Sequence, residues 1–330
     1  MKRSSVIATL LIISLFLISF MGCTQRSDES NADLKIVCTV FPAYDWVRSI
    51  IKNAEGVSVS LIIQNGTDPH SYQPTAADVM AISDCDMIVY LGAESDKWVQ
   101  EALERADNSD TQKISLTDIP QMTLHNISAS SHQHTDHKDD RDHHDHGAFD
   151  EHIWLSLSNA ITATEYIAQK LSLDDSTNAD LYISNASSYI ERLTELGVRY
   201  EELVSSTDEH HRFMLFADRF PFVYLLEELE INYSAAFEGC TADVDASFDT
   251  IIDLVEEAKL HSVNAITVTE SSDKALAKAV ARELDPNTEI IVMNSLQSVT
   301  AGQLKQGITY ISVMEENLVA LSRALSSNGE

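Results

Sequence analysis

STNADLYISNASSYIERLTELGVRYEELVSS, residues 176–206, is the stretch on which the reading of the fold turns. It contains no proline, and Ala186, Ile190, Leu193, Gly197, Tyr200 and Val204 recur at alternating spacings of four and three, the single apolar stripe of one helix. A helix of about 30 residues is about 45 Å long, the height of two stacked lobes. Working outward, two halves of similar character flank it. Before it, LKIVCTV (34–40), VSVSLII (57–63) and MIVYLG (87–92) read as strands, with helical spacing over 44–51 and 76–82. After it, FMLFA (213–217), AITVT (265–269) and EIIVM (289–293) repeat the theme, with helical patterns over 222–229, 250–260, 274–284 and 310–325. Short β-rich runs alternating with helices predict parallel α/β units. The expected fold class is therefore α/β: two lobes, each with a mostly parallel sheet flanked by helices, joined by one long linking helix. The expected boundaries are 34–175 for the N-terminal lobe, 176–206 for the helix and 207–330 for the C-terminal lobe.

The first residues set the compartment. Lys2 and Arg3 precede an apolar run from Val6 to Phe20, followed by Met21, Gly22 and Cys23. A basic start, a short apolar core and small residues before a cleavage point describe a signal peptide over 1–22. Cys23 after Gly22 looks like a bacterial lipobox, which predicts lipidation of Cys23 and a flexible tether over 23–33. More than one acyl chain there would anchor the protein stably to the outer face of a membrane. The formal net charge is −30, from 52 acidic and 22 basic residues. Removing residues 1–22 takes away two bases and no acid. Such a field repels nucleic acid and attracts cations. Cys38, Cys85 and Cys240 form no CxxC, and Cys38 and Cys85 fall in or beside predicted strands, where small buried side chains are expected.

Ligands of open α/β sheets bind beyond the C-terminal ends of the strands. Those ends carry His70 after 57–63, Asp218 after 213–217, Glu270 after 265–269 and Asn294 after 289–293; His152 precedes the helix that starts near Ser156. Two imidazoles with oxygen donors suit zinc, and added carboxylates shift the preference toward manganese. Each position also has a plain reading: a solvated loop histidine for His70, a helix-start neighbour of Glu151 for His152, an N-cap for Asp218, turn residues for Glu270 and Asn294. The stretch 125–147 is too polar to bury and reads as a solvated loop. Residues 125–152 hold eight of the twelve histidines, with seven carboxylates between Asp136 and Glu151. His132, His134, His137, His143, His144 and His146 are thus expected to form labile accessory sites for a transition metal.

Taken together, these stretches resemble one family. FPAYDWV (41–47), NGTDPHSYQPTAADVMAI (65–82), DCDMIVYLGAESDKWV (84–99) and FDEHIWLSLSNA (149–160) look like the substrate-binding lipoproteins of bacterial zinc/manganese ABC transporters. ADRFPFVYLL (217–226), AAFEGCTADVDASFDTI (235–251), TESSDK (269–274) and AGQLKQGITYISVMEENL (301–318) continue the likeness. The resemblance implies a monomeric two-lobed receptor, no catalysis, a metal between the lobes and delivery to an ABC permease. It implies His70 and His152 as the first two ligands. It places the third at Ala217, which cannot coordinate, and the fourth near Asn294. Asp218 is next in line for the third position and Glu270 for the fourth, with Asn294 a possible fourth-position donor. The expected cargo is Zn²⁺, with Mn²⁺ as the alternative. Two other readings stand beside this one. A degenerate receptor serving as a metal buffer or adhesin is motivated by Ala217 and Asn294. A zinc-dependent hydrolase is motivated by an open ligand position, although HExxH and a nucleophile elbow are absent from the sequence.

Overall fold

Two parallel four-stranded sheets carry the molecule, and both have the same strand order. The computed structural model describes residues 33–106, 110–126, 149–238, 247–285 and 287–326. Cys23, Cys240 and the accessory histidines His132, His134, His137, His143, His144 and His146 lie outside these residues. The first sheet contains β1 (Leu34–Cys38), β2 (Val57–Leu61), β3 (Met87–Tyr90) and β4 (Gln112–Ser115), in the order β2-β1-β3-β4. The second contains β5 (Phe213–Phe220), β6 (Asn232–Glu238), β7 (Ala265–Thr269) and β8 (Glu289–Met293), in the order β6-β5-β7-β8. All pairings within these sheets are parallel. In each sheet the strand order reverses beside the first strand, and this switch point opens a crevice at the C-terminal strand ends.

The first lobe adds α1 (Phe41–Ile50), α2 (Ala76–Ser83), α3 (Lys97–Arg105) and α4 (Leu157–Asp174). The long helix α5 spans Ala179–Ser206, 28 residues. The second lobe adds α6 (Val223–Glu228), α7 (Phe248–Leu260), α8 (Ala275–Glu283), α9 (Ala301–Lys305) and α10 (Tyr310–Ser326). β4, β6, α3 and α9 are elements the sequence reading did not name. QKIS at β4 is short and half polar, and α9 is a five-residue turn of helix, so neither offers a periodicity to detect. Cys38 and Cys85 are buried, and burial pushes both thiols up, Cys85 to about 12, so both stay protonated. Among the described residues no helix is long and apolar enough to cross a membrane.

α5 is one uninterrupted helix, but its buried stripe is Tyr182, Ala186, Tyr189, Leu193, Leu196, Tyr200 and Val204. Ile190 and Gly197, expected in the stripe, are only partly buried. Tyr189 and Leu196 take their places and Tyr182 extends the stripe by a turn; the two hydroxyls find partners, Tyr182 on Asp175 at 2.6 Å and Tyr189 on Asp45 at 3.2 Å. The helix bonds to both lobes. Asn185 Nδ2 donates to the Ile50 and Lys52 carbonyls at its start, and the Tyr200 hydroxyl donates to the Met314 carbonyl at 2.6 Å near its end. A single apolar core runs from Ile36 through α4 and α5 to Leu325, taking in the inner faces of both sheets. Smaller clusters cover the outer faces, around Ile82, Ile88 and Leu103 in one lobe and around Leu254, Ile266 and Val280 in the other.

Leu193 is fully buried on α5 inside the shared core. Leu193→Ala is expected to cost about 2–5 kcal/mol of unfolding free energy, measured by urea denaturation. Both lobes are expected to unfold in one transition, reported alike by tryptophan fluorescence and far-UV circular dichroism.

Candidate metal site between the lobes

Sequence places the two histidines 82 residues apart, and the fold brings their rings together. His70 sits in a short 3₁₀ turn, Pro69–Ser71, just beyond β2. Asp68 caps that turn by accepting from the His70 amide at 3.0 Å. His152 precedes a second 3₁₀ turn, Ile153–Leu155, which leads into α4. The two Nε2 atoms lie 3.4 Å apart. A tetrahedral Zn²⁺ with Zn–N bonds of about 2.0–2.1 Å sets neighbouring nitrogens about 3.3–3.4 Å apart, so the pair already has the spacing of two ligands of one ion.

Consecutive carboxylates stand behind the two rings. His152 Nδ1 lies 2.8 Å from Asp150 Oδ1, and that oxygen also accepts from the His152 amide at 2.9 Å. A protonated Nδ1 donating to Asp150 leaves the Nε2 lone pair toward His70 and raises the basicity of the ring. Glu151 Oε2 faces His70 Nδ1 at 3.6 Å, and Glu151 is held by the Ser95 amide at 3.1 Å and by the Ser95 hydroxyl. The run Asp150-Glu151-His152 thus supplies one of the two imidazoles, fixes it through Asp150 and sets a carboxylate near the other. His152 is 1% exposed and packs edge-on against Trp154, while the His70 side chain is 21% exposed. The pair therefore presents one buried ring and one partly exposed ring.

The expected second-lobe donors are engaged elsewhere. Asp218 lies within β5, not at the start of a helix, since α6 begins only at Val223. Its Oδ2 accepts from the Thr269 amide at 3.0 Å and the Thr269 hydroxyl at 2.6 Å, joining the ends of β5 and β7. Glu270 grips Ser295 through its amide at 2.8 Å and its hydroxyl at 2.7 Å. Asn294 Oδ1 accepts from the Leu296 amide at 2.8 Å, while its backbone pairs with the Asn317 side chain. Ala217 is buried. Among the described residues no three His, Cys, Asp or Glu side chains converge to hold an ion. The four-residue set His70, His152, Asp218 and Glu270 is thus not assembled in this arrangement; only the two imidazoles meet.

Among the described residues a second-lobe side chain, Gln297, reaches the pair: its carboxamide nitrogen contacts His152 Nε2. Sequence reading passed over it because a neutral amide in a turn carries no metal signal. The turn that presents it is built with care: Leu296 adopts φ +64°, a conformation costly for a residue with a side chain, and Trp154 Nε1 holds the Ser295 carbonyl at 2.9 Å from the first lobe. Glu270 therefore supports this turn from behind instead of facing the histidines.

A model of the family "Zinc-uptake complex component A periplasmic" matches residues 36–324. The chain belongs to that family. It is 30% identical over 321 residues to the zinc-binding lipoprotein AdcA of Streptococcus pneumoniae R6, covering 97% of this chain and 61% of that protein. It therefore spans about three-fifths of the length of that relative. It is 26% identical over 321 residues to the high-affinity zinc uptake system protein ZnuA of Bacillus subtilis 168, covering 96% and 97% of the two chains. The crystal structure of the Zn(II)-bound ZnuA-like domain of S. pneumoniae AdcA superposes with a TM-score of 0.70 at 29% identity, covering 88% of this chain and 98% of that one. The two-lobed α/β fold of the family is the fold of this chain.

Behind Ser95 lies Asp96, 1% exposed, with Oδ2 accepting from the Thr39 hydroxyl at 3.1 Å and Oδ1 without a hydrogen-bond partner. Burial pushes its carboxyl from 3.8 up to about 6, against the pull of the Leu91 amide. A carboxyl raised in the folded state stabilises most below its unfolded value and loses that contribution as pH rises through the folded one. Stability is thus expected to fall by about 2–3 kcal/mol between pH 4 and 6 from this group. Asp96→Asn is expected to flatten that slope in urea titrations at several pH values.

Proposed function

We propose that this chain is an exported, lipid-anchored receptor that captures a divalent transition metal, Zn²⁺ with Mn²⁺ as the alternative cargo, between its lobes and delivers it to an ABC permease. The observation that carries this reading is the 3.4 Å spacing of the His70 and His152 Nε2 atoms, each ring backed by a carboxylate at Nδ1. Family membership and the zinc-binding and zinc-uptake names of the relatives support it. The ion binds both Nε2 atoms and displaces the Gln297 N–H from His152. The carboxamide then turns its oxygen to the ion as the second-lobe donor. Asp218 or Glu270 joins the shell only by giving up its bonds to Thr269 or Ser295. The function is capture and release, with no catalytic step. Cys23 carries the lipid anchor on the outer face of the membrane, the receptor acts as a monomer, and the accessory histidines from His132 to His146 raise the local metal concentration.

One observation favours a second reading, that of a metal buffer or adhesin: both second-lobe carboxylates are bonded within their own lobe. Deleting 127–148 separates the two. Under the receptor reading the deletion removes only weak stoichiometric excess and keeps one tight Zn²⁺ site; loss of all binding with the segment would sink the cleft.

His70→Ala and His152→Ala are each expected to weaken the tight Zn²⁺ site by ~100-fold or more, and Asp150→Ala by about 10–100-fold, in competition titrations against a chelator. Imidazole must be neutral to bind, so wild-type affinity should drop as pH falls through about 6.5. A flat pH response between 5 and 8 would speak against histidine ligation.

A further inference from the structure

The 69–71 turn that carries His70 is held from the opposite lobe. Asp68, its cap, uses one oxygen for the His70 amide and the other for Arg219, whose Nη1 lies 3.0 Å from Asp68 Oδ2. Arg219 belongs to β5, and it is aimed by a bulge. Phe216 pairs with Ala235 and Arg219 with Phe237, so the β5 side holds one residue more than its partner at this point. A bulge of this kind re-aims side chains at the rim of a sheet. Asp218, within the bulge, accepts from the Arg219 amide at 2.9 Å and ties to Thr269, which fixes the direction in which the guanidinium leaves the strand. Beside it the Gly66 amide donates to the Val299 carbonyl at 3.1 Å, a second tie from the His70 loop to the second lobe.

A permanent cation beside a cation-binding cleft is unfavourable unless it is neutralised and has a task. Asp68 neutralises it. The task follows from the split use of the Asp68 carboxylate: with both oxygens engaged, the cap cannot rotate, and the His70 backbone keeps its register relative to the second lobe. We propose that Arg219 is a positioning residue for His70, acting through Asp68 to hold the first imidazole at ligand distance from His152 and against the second lobe. This inference rests on the cleft reading above. It assigns to the bulge at 217–219 a purpose other than ligation: this stretch supplies a clamp on the first-lobe histidine.

The test is the rate of Zn²⁺ loss from the tight site of the full chain, followed with a chromophoric chelator in stopped flow, for Arg219→Gln, Asp68→Asn, the double variant and Arg219→Lys. Asp68→Asn keeps a capping oxygen for His70 and removes only the charge. Each of the first two is expected to release Zn²⁺ about 10-fold faster. The double variant should be no faster than the quicker single, because the two act as one unit. Arg219→Lys should recover most of the retention, and its recovery separates positioning from a general loss of fold. Rates within two-fold of wild type, multiplicative effects in the double variant, or slower release in Arg219→Gln would each overturn the assignment. His70→Ala runs in parallel. If it retains Zn²⁺ as wild type does, the cleft reading falls and the clamp with it. If it loses Zn²⁺ while Arg219→Gln does not, only the clamp falls.

Discussion

Asp45 is the point on which both lobes depend. Its carboxylate lies fully buried on α1 of the first lobe, yet it accepts from the Tyr310 amide at the start of α10 in the second and from the Tyr189 hydroxyl of α5. Arg48 bonds it from the next turn of α1 and also donates to the Ile308 carbonyl at 2.9 Å. Burial pushes this carboxyl up, and Arg48 pulls it back. An ionic group in such a place specifies geometry more than it adds stability, because its desolvation cost is offset only when every partner is in place. Trp46 packs edge-on against Tyr310 beside it, at 5.5 Å between centroids. The lobes therefore meet through a packed and bonded junction continuous with the common core. α5 is thus not the sole connection between them.

On this joined framework the candidate side chains reside in short turns. His70, His152 and Gln297 all lie in turns beyond strand ends or before a helix, each held by a polar contact of its own: the Asp68 cap, the Asp150 carboxylate and the Ser295 carbonyl bonded by Trp154. Side chains on turns can adjust by fractions of an ångström while the sheets stay fixed, which would suit the capture and release proposed above. In the proposed shell the neutral Gln297 would give the ion less electrostatic attraction than a carboxylate, which would favour release over retention.

Much of this was legible in the sequence, and the reasons differ by element. The strands AITVT and EIIVM were read to the residue because both are short apolar runs rich in β-branched residues; AITVT is buried throughout, while EIIVM lies at the sheet edge and exposes Glu289 and Val292. His70 and His152 were identifiable because they follow a strand end and precede a helix, and because the surrounding motifs resembled a family. Asp218 and Glu270 looked like ligands for the same positional reason, but sequence does not reveal which carboxylates are consumed by neighbouring amides. The stripe of α5 was displaced by one residue at two turns, where Tyr189 and Leu196 stand in for Ile190 and Gly197, and Tyr189 enters the core with Asp45, 144 residues away, accepting its hydroxyl. Gln297 and Arg219 were missed because their roles rest on partners 145 and 151 residues away.

The neck of the His-rich stretch has one more implication. Asn126 bridges to Phe149, and the Asp150 amide donates to the His125 carbonyl at 2.8 Å. Tyr224 of the second lobe fastens the same rung, donating to the Asp150 carbonyl at 2.6 Å and accepting from the His125 amide at 3.1 Å. The two ends of the intervening segment are thus sewn together at its base. Closing a chain segment at such a base depends only weakly on its length, since each doubling adds only about 0.6 kcal/mol. The rung thereby separates the closure of this segment from the contacts that hold His152, which Asp150 makes on the far side of it.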